Sequence, residues 1–310
     1  MSRDHSPEQW HGPQDPLFRK EKTRHREAGA DGQEIGRGGG TENQSRMGGS
    51  SAQRETEART VEPRQVYSFR DRTYSLRSSE LETMADVGKF RAVDIHDLVE
   101  FAYAGNRRHL DADLANLRKQ GLVAERKAPH RETGSRRLVA LTKEGHRLLH
   151  STKTVPGDQA LYHGFTKPRE ADHDADLYRL YQRGLETIVG TGGRPVRVVL
   201  DAELKRDVYR DVARLREKRP LTEAREEAAE HHGLHVVRGK IPVPDLRIEY
   251  ETQDGELERM DLELATEHYR SRSLGQKARA GFSLYARPQD ASNLRRVLDQ
   301  QEITAEILNL

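Results

Sequence analysis

Two runs of alternating apolar and polar residues, separated by a strong turn signal, constrain this chain most. The runs are "LRIEYE" at residues 246–251 and "ERMDLEL" at residues 258–264, and "TQDG" lies between them. Apolar residues at every second position favour strands with one buried face. The pair Asp254-Gly255 is typical of tight hairpin turns. The sequence therefore predicts an antiparallel β-hairpin in the C-terminal half.

The composition predicts that part of the chain has no core. A chain of 310 residues has room for about two domains, but 34% of its residues are apolar and 34% are charged. Residues 1–63 contain long polar stretches such as "GADGQEIGRGGGTENQ". Such a segment buries too little apolar surface to offset the entropy cost of ordering. We predict a disordered N-terminal tail, 1–63, without chemistry of its own.

Charge, cysteine content and hydropathy limit the class of protein. The net charge of +2 is near balance, so affinity for nucleic acid must come from local clusters of Arg and Lys. The chain has no cysteine, which excludes disulfide scaffolds and cysteine-ligated metal sites. No apolar run reaches the roughly 20 residues of a membrane span. These features predict a cytoplasmic protein without membrane contact.

Capping residues divide residues 78–151 into four helices. In each case a side chain that can accept a hydrogen bond precedes an apolar helical stripe. The predicted caps are Ser79 with Glu82 for the first helix, Asp94 for the second, Asn106 for the third and Thr142 for the last. Between the third and the last helix, "LVAERKA" and "RRLVALT" are predicted strands of a hairpin.

This order is that of a winged helix-turn-helix domain, and the stretch 122–145 resembles MarR-like regulators. The resemblance implies that the third helix lies in the DNA major groove and the hairpin, or wing, follows the backbone or the minor groove. The predicted DNA-binding residues are Arg107, Arg108, Asn116 and Lys119 on the third helix and Arg126, Lys127, Arg131, Arg136 and Arg137 on the wing. Asp111 and Asp113 on the third helix favour the alternative of a protein-contact module.

A linker, 152–167, leads to a second domain, 168–310. We predict a long first helix, then a strand, a helical insert and the hairpin. The "HDAD" of this first helix, 173–176, could suggest a metal cluster, but on a helix these side chains face different directions, so Asp172 to Asp176 are predicted to be mainly a solvated first turn. A helix from Ser273 is predicted to direct Leu274, Ala278, Phe282 and Tyr285 inward, and "ITAEILNL" is predicted to be a last short helix. Helix, strand, hairpin and helix is the core order of the PD-(D/E)xK nuclease fold. The predicted fold class is therefore α/β multidomain, with a winged helix followed by a restriction-endonuclease-like domain.

Three acidic residues of this domain are candidate metal ligands. Asp261 and Glu263 share one face of their strand because they are two residues apart, and Asp245 begins the neighbouring strand. Carboxylates are typical Mg²⁺ ligands, so we predict a Mg²⁺ site at Asp245, Asp261 and Glu263, with Asp261→Asn relieving repulsion between them. The nuclease motif has a lysine where this chain has Ala265, and Lys277 is the predicted catalytic substitute. The alternative is that these acids are solvated strand residues.

The segment 244–285 also resembles the replication-relaxation family of plasmid and integrative-element proteins. The resemblance rests on "DLELATEHY" and "KARAGFSLYA" and on the preceding winged helix. It implies a DNA-binding accessory protein in replication, relaxation or mobilisation, with double-stranded DNA and a relaxase or replication protein as partners. Mg²⁺-dependent cleavage of phosphodiester bonds and a homo-oligomer are both left open. The alternative is a winged-helix transcriptional regulator whose inactive C-terminal domain dimerises or senses a ligand.

Overall fold

A two-stranded hairpin begins the described chain, which in the computed structural model comprises residues 63–130, 134–167, 170–266, 269 and 271–310. The predicted tail lies outside these residues except for Pro63. Strand β1, Gln65–Phe69, pairs antiparallel with β2, Arg72–Leu76. Tyr74 and Leu76 are buried in the core. This hairpin was not predicted from the sequence, although its side chains alternate as a strand requires.

Three helices, a three-stranded sheet and a fourth helix follow, in the order predicted for a winged helix. Helix α2 continues into a π-helical turn, Leu98–Ala102, and β5 lies between β3 and β4. The elements are α1 Ser78–Lys89, β3 Val93–Asp94, α2 Ile95–Asp97, α3 Arg107–Lys119, β4 Val123–His130, β5 Gly134–Leu141 and α4 Lys143–Thr152. The wing is thus the β4–β5 hairpin.

Three of the four predicted caps are confirmed. Asp94, Asn106 and Thr142 each accept a hydrogen bond from a backbone N–H in the first turn of their helix. The prediction for α1 is wrong, because the cap lies two residues earlier. There the backbone N–H of Arg77 donates to Glu80 Oε2 at 2.8 Å. The Ser79 hydroxyl instead donates to Asp113 Oδ2 at 2.7 Å and joins α1 to α3.

The C-terminal part is a five-stranded mixed sheet flanked by helices. Its strand order is β10-β9-β8-β7-β6; β6, β7 and β8 form an antiparallel meander, and β8, β9 and β10 run parallel. The predicted β7–β8 hairpin is confirmed. The elements are α5 Ala171–Gly190, β6 Arg194–Leu200, α6 Asp201–Arg216, α7 Leu221–His231, β7 Leu246–Glu251, β8 Leu257–Ala265, α8 Ser271–Arg279, β9 Ser283–Ala286, α9 Pro288–Asp299 and β10 Ile307–Asn309.

The end of the chain differs from the prediction. Helix α8 ends at Arg279, two residues before Gly281 adopts φ +82°, so Phe282 and Tyr285 are not part of it. Tyr285 belongs to β9, and the segment predicted as a last helix contains β10. A short apolar run fits either a strand or a turn of buried helix. In this chain both runs form strands, because they pair in parallel at the edge of the sheet.

One hydrophobic core runs through both parts of the chain. Phe90 at the end of α1 packs against Tyr178 and Tyr181 of α5, with ring centroids 5.3 and 5.1 Å apart. On its other side α5 lies directly on the sheet, because a Cβ atom at Gly184 would stand 2.7 Å from Ile248 and Leu262. Helix α5 therefore packs between the winged-helix elements and the sheet.

The predicted linker is also packed. The buried Gln159 amide donates to the carbonyl of Val198 at 2.9 Å and accepts from the Val198 N–H at 3.0 Å. The backbone N–H groups of Tyr162 and Gly164 donate to carbonyls of Gly88 and Leu141. Within the described ranges, no helix combines the length and the apolar character that crossing a bilayer would require.

Candidate active site and nucleic-acid interface

Asp245 and Glu263 meet where β7 begins and β8 approaches its end. Leu246 is paired with Leu262 in the antiparallel register, so each acid lies one residue beyond that pair. The backbone N–H of Asp245 donates to Glu263 Oε2 at 3.1 Å, and that of Leu264 donates to Asp245 Oδ2 at 3.0 Å. The two carboxylates are therefore fixed by backbone contacts across neighbouring strands.

Lys277 of α8 completes this arrangement from outside the sheet. Its Nζ lies 2.5 Å from Glu263 Oε1 and donates to the carbonyl of Val243 at 2.8 Å. The sequence placed a lysine on this helix as the substitute for the one missing at Ala265. The structure brings Lys277 to the carboxylate that precedes Ala265 by two residues. Its catalytic role stays a prediction.

Glu263 is 0% exposed and is the most perturbed carboxyl of the site. Burial and, after it, the negative charge of Asp245 raise its pKa to about 7, against the opposing effects of Lys277 and Tyr269. The Tyr269 hydroxyl donates to Glu263 Oε1, and the pKa of Tyr269 is raised by burial and by that carboxylate. Glu263 is thus an acid that exchanges its proton near neutral pH.

His173 and Asp174, from the first turn of α5, also reach this centre. His173 Nε2 lies 3.4 Å from Asp245 Oδ2. Burial alone lowers the pKa of His173, but hydrogen bonds to Asp174 and Asp245 outweigh it and raise the pKa to about 10. Burial tends to raise the pKa of Asp245, yet the contact with His173 and the charge of Lys277 bring it below its ordinary value.

The interpretation of "HDAD" as a solvated turn is wrong. Asp174 and Asp176 are buried, and Asp174 Oδ2 has no hydrogen-bond partner among the described residues. Asp174 precedes the buried Leu177 by three positions, and His173 precedes it by four. This spacing places Asp174 on the buried face of the helix and His173 at the edge of that face, where 39% of its side chain is exposed. The helical spacing therefore indicated that these residues turn towards the core. The prediction of a solvated turn relied on their polarity instead.

Lys205 of α6 is a second cation near the two acids. It pairs with Asp201 at 2.8 Å, and the backbone N–H of Asp201 donates to the carbonyl of Asp245. Burial tends to lower the pKa of Lys205, but Asp201, Asp245 and Glu263 together raise it. The centre therefore has cations on two sides, from α6 and from α8.

Asp261, the third predicted ligand, is engaged elsewhere. Arg247 stands directly opposite Asp261 in the β7–β8 register. Its guanidinium donates to both carboxylate oxygens, at 2.6 and 2.8 Å, and to the carbonyl of His232 at 2.6 Å. Asp261 is therefore neutralised by a buried arginine, and the expected relief of repulsion in Asp261→Asn is corrected to the loss of an ion pair.

Among the described residues, only one group of three side chains that could bind a metal has its ligand atoms within 4.8 Å of one another. This group lies in the winged helix. The group is His96, Asp97 and Glu100. Arg179 already donates to both Asp97 and Glu100, so these carboxylates serve an ion pair between α2 and α5. Asp245, Asp261 and Glu263 do not converge in this way.

Helix α3 carries the exposed cations of the winged helix. Arg107 pairs with Asp111 at 2.9 Å, and Arg118 with Glu125 at 3.3 Å, while both remain nearly half exposed. Arg108 and Lys119 are exposed and form no ion pair with any described residue. On the wing, Lys127 is exposed and Arg137 pairs with Glu125 at 2.7 Å.

Arg136, predicted to bind DNA, is buried and its assignment is corrected. Only 6% of its side chain is exposed. The guanidinium donates to Asp94 at 2.8 Å, and to Asp176 at 3.1 Å and Asp172 at 3.3 Å on α5. Alternate residues of β5 face opposite sides, so Arg136 points towards α5 while Arg137 points away from it.

Two further predicted contacts are also occupied within the protein. Asn116 donates to the carbonyl of Ser75 and to Glu80 Oε1, which ties α3 to β2 and α1. Arg126 lies over the ring of Phe165, 4.4 Å from its centroid. Arg131 lies outside the described residues.

Asp113 does not face the solvent as the protein-contact alternative requires. It is 0% exposed and accepts hydrogen bonds from Arg77, Ser79 and Tyr103. Its charge is used inside the winged helix, between α1 and α3. Of the two acids on α3, only Asp111 therefore lies on the outer face.

Comparisons with known proteins give little. No family model matches the chain, and no curated protein matches it. Among solved structures, the chain is similar to Bacillus subtilis PadR in complex with operator DNA, with 14% identity and a TM-score of 0.22. That match covers 51% of this chain and 94% of the PadR chain. Likeness at this level does not identify the fold of either part.

Proposed function

We propose that this chain binds duplex DNA through α3 and the wing. The observation that carries the proposal is the outer face of α3, where Arg107, Arg108, Arg118 and Lys119 are all exposed. Winged-helix proteins place the third helix in the major groove, and the β-hairpin that follows it lies along the DNA backbone. Phosphate contacts from such cations release counterions and supply most of the affinity.

The test is the salt dependence of binding by the full chain. We expect Arg108→Ala with Lys119→Ala to weaken binding to a random-sequence duplex and to lower the slope of log K against log salt by about 1 to 2. The matched control is Arg216→Ala with Lys218→Ala, which removes two exposed cations near the end of α6. Equal slopes for the two double variants would contradict DNA binding by α3.

A second candidate function, hydrolysis of phosphodiester bonds with Mg²⁺, is favoured by the acid centre. A helix, an antiparallel three-stranded meander and a helical crossover to a parallel strand support it, since that is the order of PD-(D/E)xK nucleases. Pro244-Asp245 and Glu263 stand at the motif's two acidic positions. Asp261, by contrast, is neutralised by Arg247.

The donor set fits a hard divalent cation. Mg²⁺ is usually held by one or two carboxylates together with waters and substrate phosphates, and Asp245 and Glu263 supply two. The ion supplies Lewis-acid activation of a phosphate and a nucleophilic water when bound. The protein's own groups would hold the ion through Asp245 and Glu263. Lys277, now against Glu263, would stabilise negative charge on the phosphate.

Cleavage and metal-binding assays distinguish the role of Glu263 from that of Lys277. We expect plasmid cleavage only with Mg²⁺ or Mn²⁺, lost in Glu263→Gln and lowered in Lys277→Met. Calorimetric titration with Mn²⁺ should detect binding in the wild type and in Lys277→Met but not in Glu263→Gln. Unaltered Mn²⁺ binding in Glu263→Gln would contradict the site, whatever the cleavage result.

The cellular role that we propose is an accessory function in replication, relaxation or mobilisation of a plasmid or integrative element. It is supported by the replication-relaxation resemblance of segment 244–285 and implies a relaxase or replication protein as partner. The rival role is a transcriptional regulator. Tight binding confined to the protein's own promoter, without Mn²⁺ binding, would favour the regulator, whereas co-purification with a relaxase favours the accessory role.

A further inference from the structure

An open cleft of about 450 Å³ beside α8 is lined by three arginines. Its lining residues are Arg238, Arg272, Arg279 and Gln301. The cleft lies outside the acid centre, but Lys277 belongs to the same helix as Arg272 and Arg279. It shares no element with the basic face of α3.

Each wall of the cleft is held in place by the fold. Arg238 is in a left-handed turn with φ +52°, closed by two backbone hydrogen bonds between Val237 and Lys240. Arg225 of α7 donates to the carbonyl of Gly239 at 2.9 Å and fixes this turn from outside. On the other side, a Cβ atom at Gly275 would stand 2.3 Å from Gln301 Oε1, so a glycine lets Gln301 approach α8.

The charge of the cleft is not balanced by acidic side chains of the described residues. Most buried or half-buried arginines of this chain pair with carboxylates, as Arg136 and Arg247 do. Arg238 and the two α8 arginines are exposed, and no described acidic side chain pairs with them. Three forked guanidinium groups around one cleft favour an anion with several oxygen atoms, such as phosphate.

The span of the cleft favours a polymer over a single phosphate. Arg272 and Arg279 are seven residues apart, which is about 10 Å along a helix. Successive phosphates of one strand are about 3.4 Å apart along the duplex axis, so this distance exceeds the reach of a single phosphate. Lys277 lies on the opposite, inward face of α8, where it contacts Glu263, so the two arginines form a surface separate from the acid centre.

We propose that this cleft binds the sugar-phosphate backbone of nucleic acid, independently of base sequence, as a contact separate from α3. The proposal rests on the proposed function only in taking nucleic acid as the source of the phosphates. It assigns the chain two nucleic-acid contacts, one on the winged helix and one beside α8.

The test compares the wild-type full chain with the double variant Arg272→Gln, Arg279→Gln. This variant removes two charges at exposed positions of α8. Binding to a random-sequence duplex and to a single strand is measured by fluorescence anisotropy over a salt series. For the duplex, the single strand or both, we expect the double variant to lower the slope of log K against log salt by about 1 to 2. Arg216→Gln with Lys218→Gln is the control of equal charge, and melting temperatures verify folding.

The same pair of substitutions in the Arg108→Ala, Lys119→Ala background separates the two contacts. We expect the cleft substitutions to remove most of the binding that remains there. A loss in the cleft variant with none in the α3 variant would overturn α3 binding and leave the cleft supported. Cleft and control variants that behave alike in both backgrounds would overturn the cleft.

Inorganic phosphate distinguishes a polymer from a small anion. At constant ionic strength, we expect added phosphate to leave the cleft-dependent part of nucleic-acid binding nearly unchanged, because one phosphate cannot engage the whole span. Displacement of that part by phosphate in the low millimolar range would overturn the proposal in favour of a small-anion site.

Discussion

Two buried charge clusters meet the first turns of α5, and they are opposite in kind. Around Arg136, one cation is surrounded by Asp94, Asp172 and Asp176. Burial disfavours the charge of Arg136, but the aspartates outweigh it and raise its pKa above the ordinary value. Around Glu263, burial and the neighbouring carboxylate of Asp245 raise the pKa of an acid to about 7. The first cluster is stable when ionised, whereas the second retains a proton near neutrality.

The difference separates a structural contact from a candidate site. The Arg136 cluster joins the wing to α5, and Arg287 also donates to Asp176 from the start of α9. The carboxylates of this cluster are paired with Arg136 and Arg287, so they are not free to bind a ligand. In the acid centre the negative charge of Asp245 acts on the buried Glu263, and a proton or a divalent cation at Glu263 would relieve that repulsion.

The largest expected effect is in the first cluster. Arg136→Ala leaves Asp94 and Asp176 buried without their cation, and breaking such a pair typically costs about 3–5 kcal/mol. Urea unfolding at pH 7 measures the loss. A change below about 1 kcal/mol would show that the cluster is solvated and that the comparison between the two clusters is wrong.

The second prediction concerns the pH dependence of Glu263. Its folded pKa, about 7, lies above the ordinary value of 4.5, so the folded protein binds this proton more tightly than the unfolded chain. The resulting stability is fully present below pH 4.5 and is lost as the pH rises to about 7. It amounts to about 3 kcal/mol.

Glu263→Gln removes this titration and keeps the shape. The stability of Glu263→Gln relative to the wild type should therefore increase from pH 4.5 to pH 7, which urea unfolding at several pH values measures. His173 and Asp245 remain in both proteins and serve as internal controls. Parallel pH profiles would mean that Glu263 is ionised throughout and that the acid centre resembles the Arg136 cluster.

The third prediction distinguishes two acids that are two residues apart on β8. Asp261→Asn should destabilise the protein by about 2 kcal/mol, because a charge-assisted hydrogen bond to the buried Arg247 is lost. Thermal and urea unfolding at pH 7 measure it. A gain in stability would indicate that Asp261 repels Glu263, as the sequence alone suggested, and would return it to the acid centre.

The smallest expected effect is for the neighbour of Arg136. Arg137→Ala removes a pair with Glu125 in which 41% of the arginine side chain is exposed. Such pairs contribute about 0–1 kcal/mol, so the change in unfolding free energy should be close to zero. A loss as large as that of Arg136→Ala would contradict the inward and outward assignment of the two arginines.

The sequence by itself determined the elements whose signals are local. Asp94, Asn106 and Thr142 cap their helices because a short polar side chain before an apolar stripe satisfies free backbone N–H groups within three residues. Asp254-Gly255 likewise determined the β7–β8 hairpin, since its turn chemistry needs no distant partner.

Only the tertiary structure decided which charges are buried and with whom. Arg136 and Arg137 are alike in sequence, and the packing of α5 on one face of β5 separates them. Asp261 and Glu263 share a strand face, but Arg247 lies opposite one and Lys277 reaches the other. A charge's role depends on partners that are distant in sequence, because Coulomb energy and desolvation act through space and not along the chain.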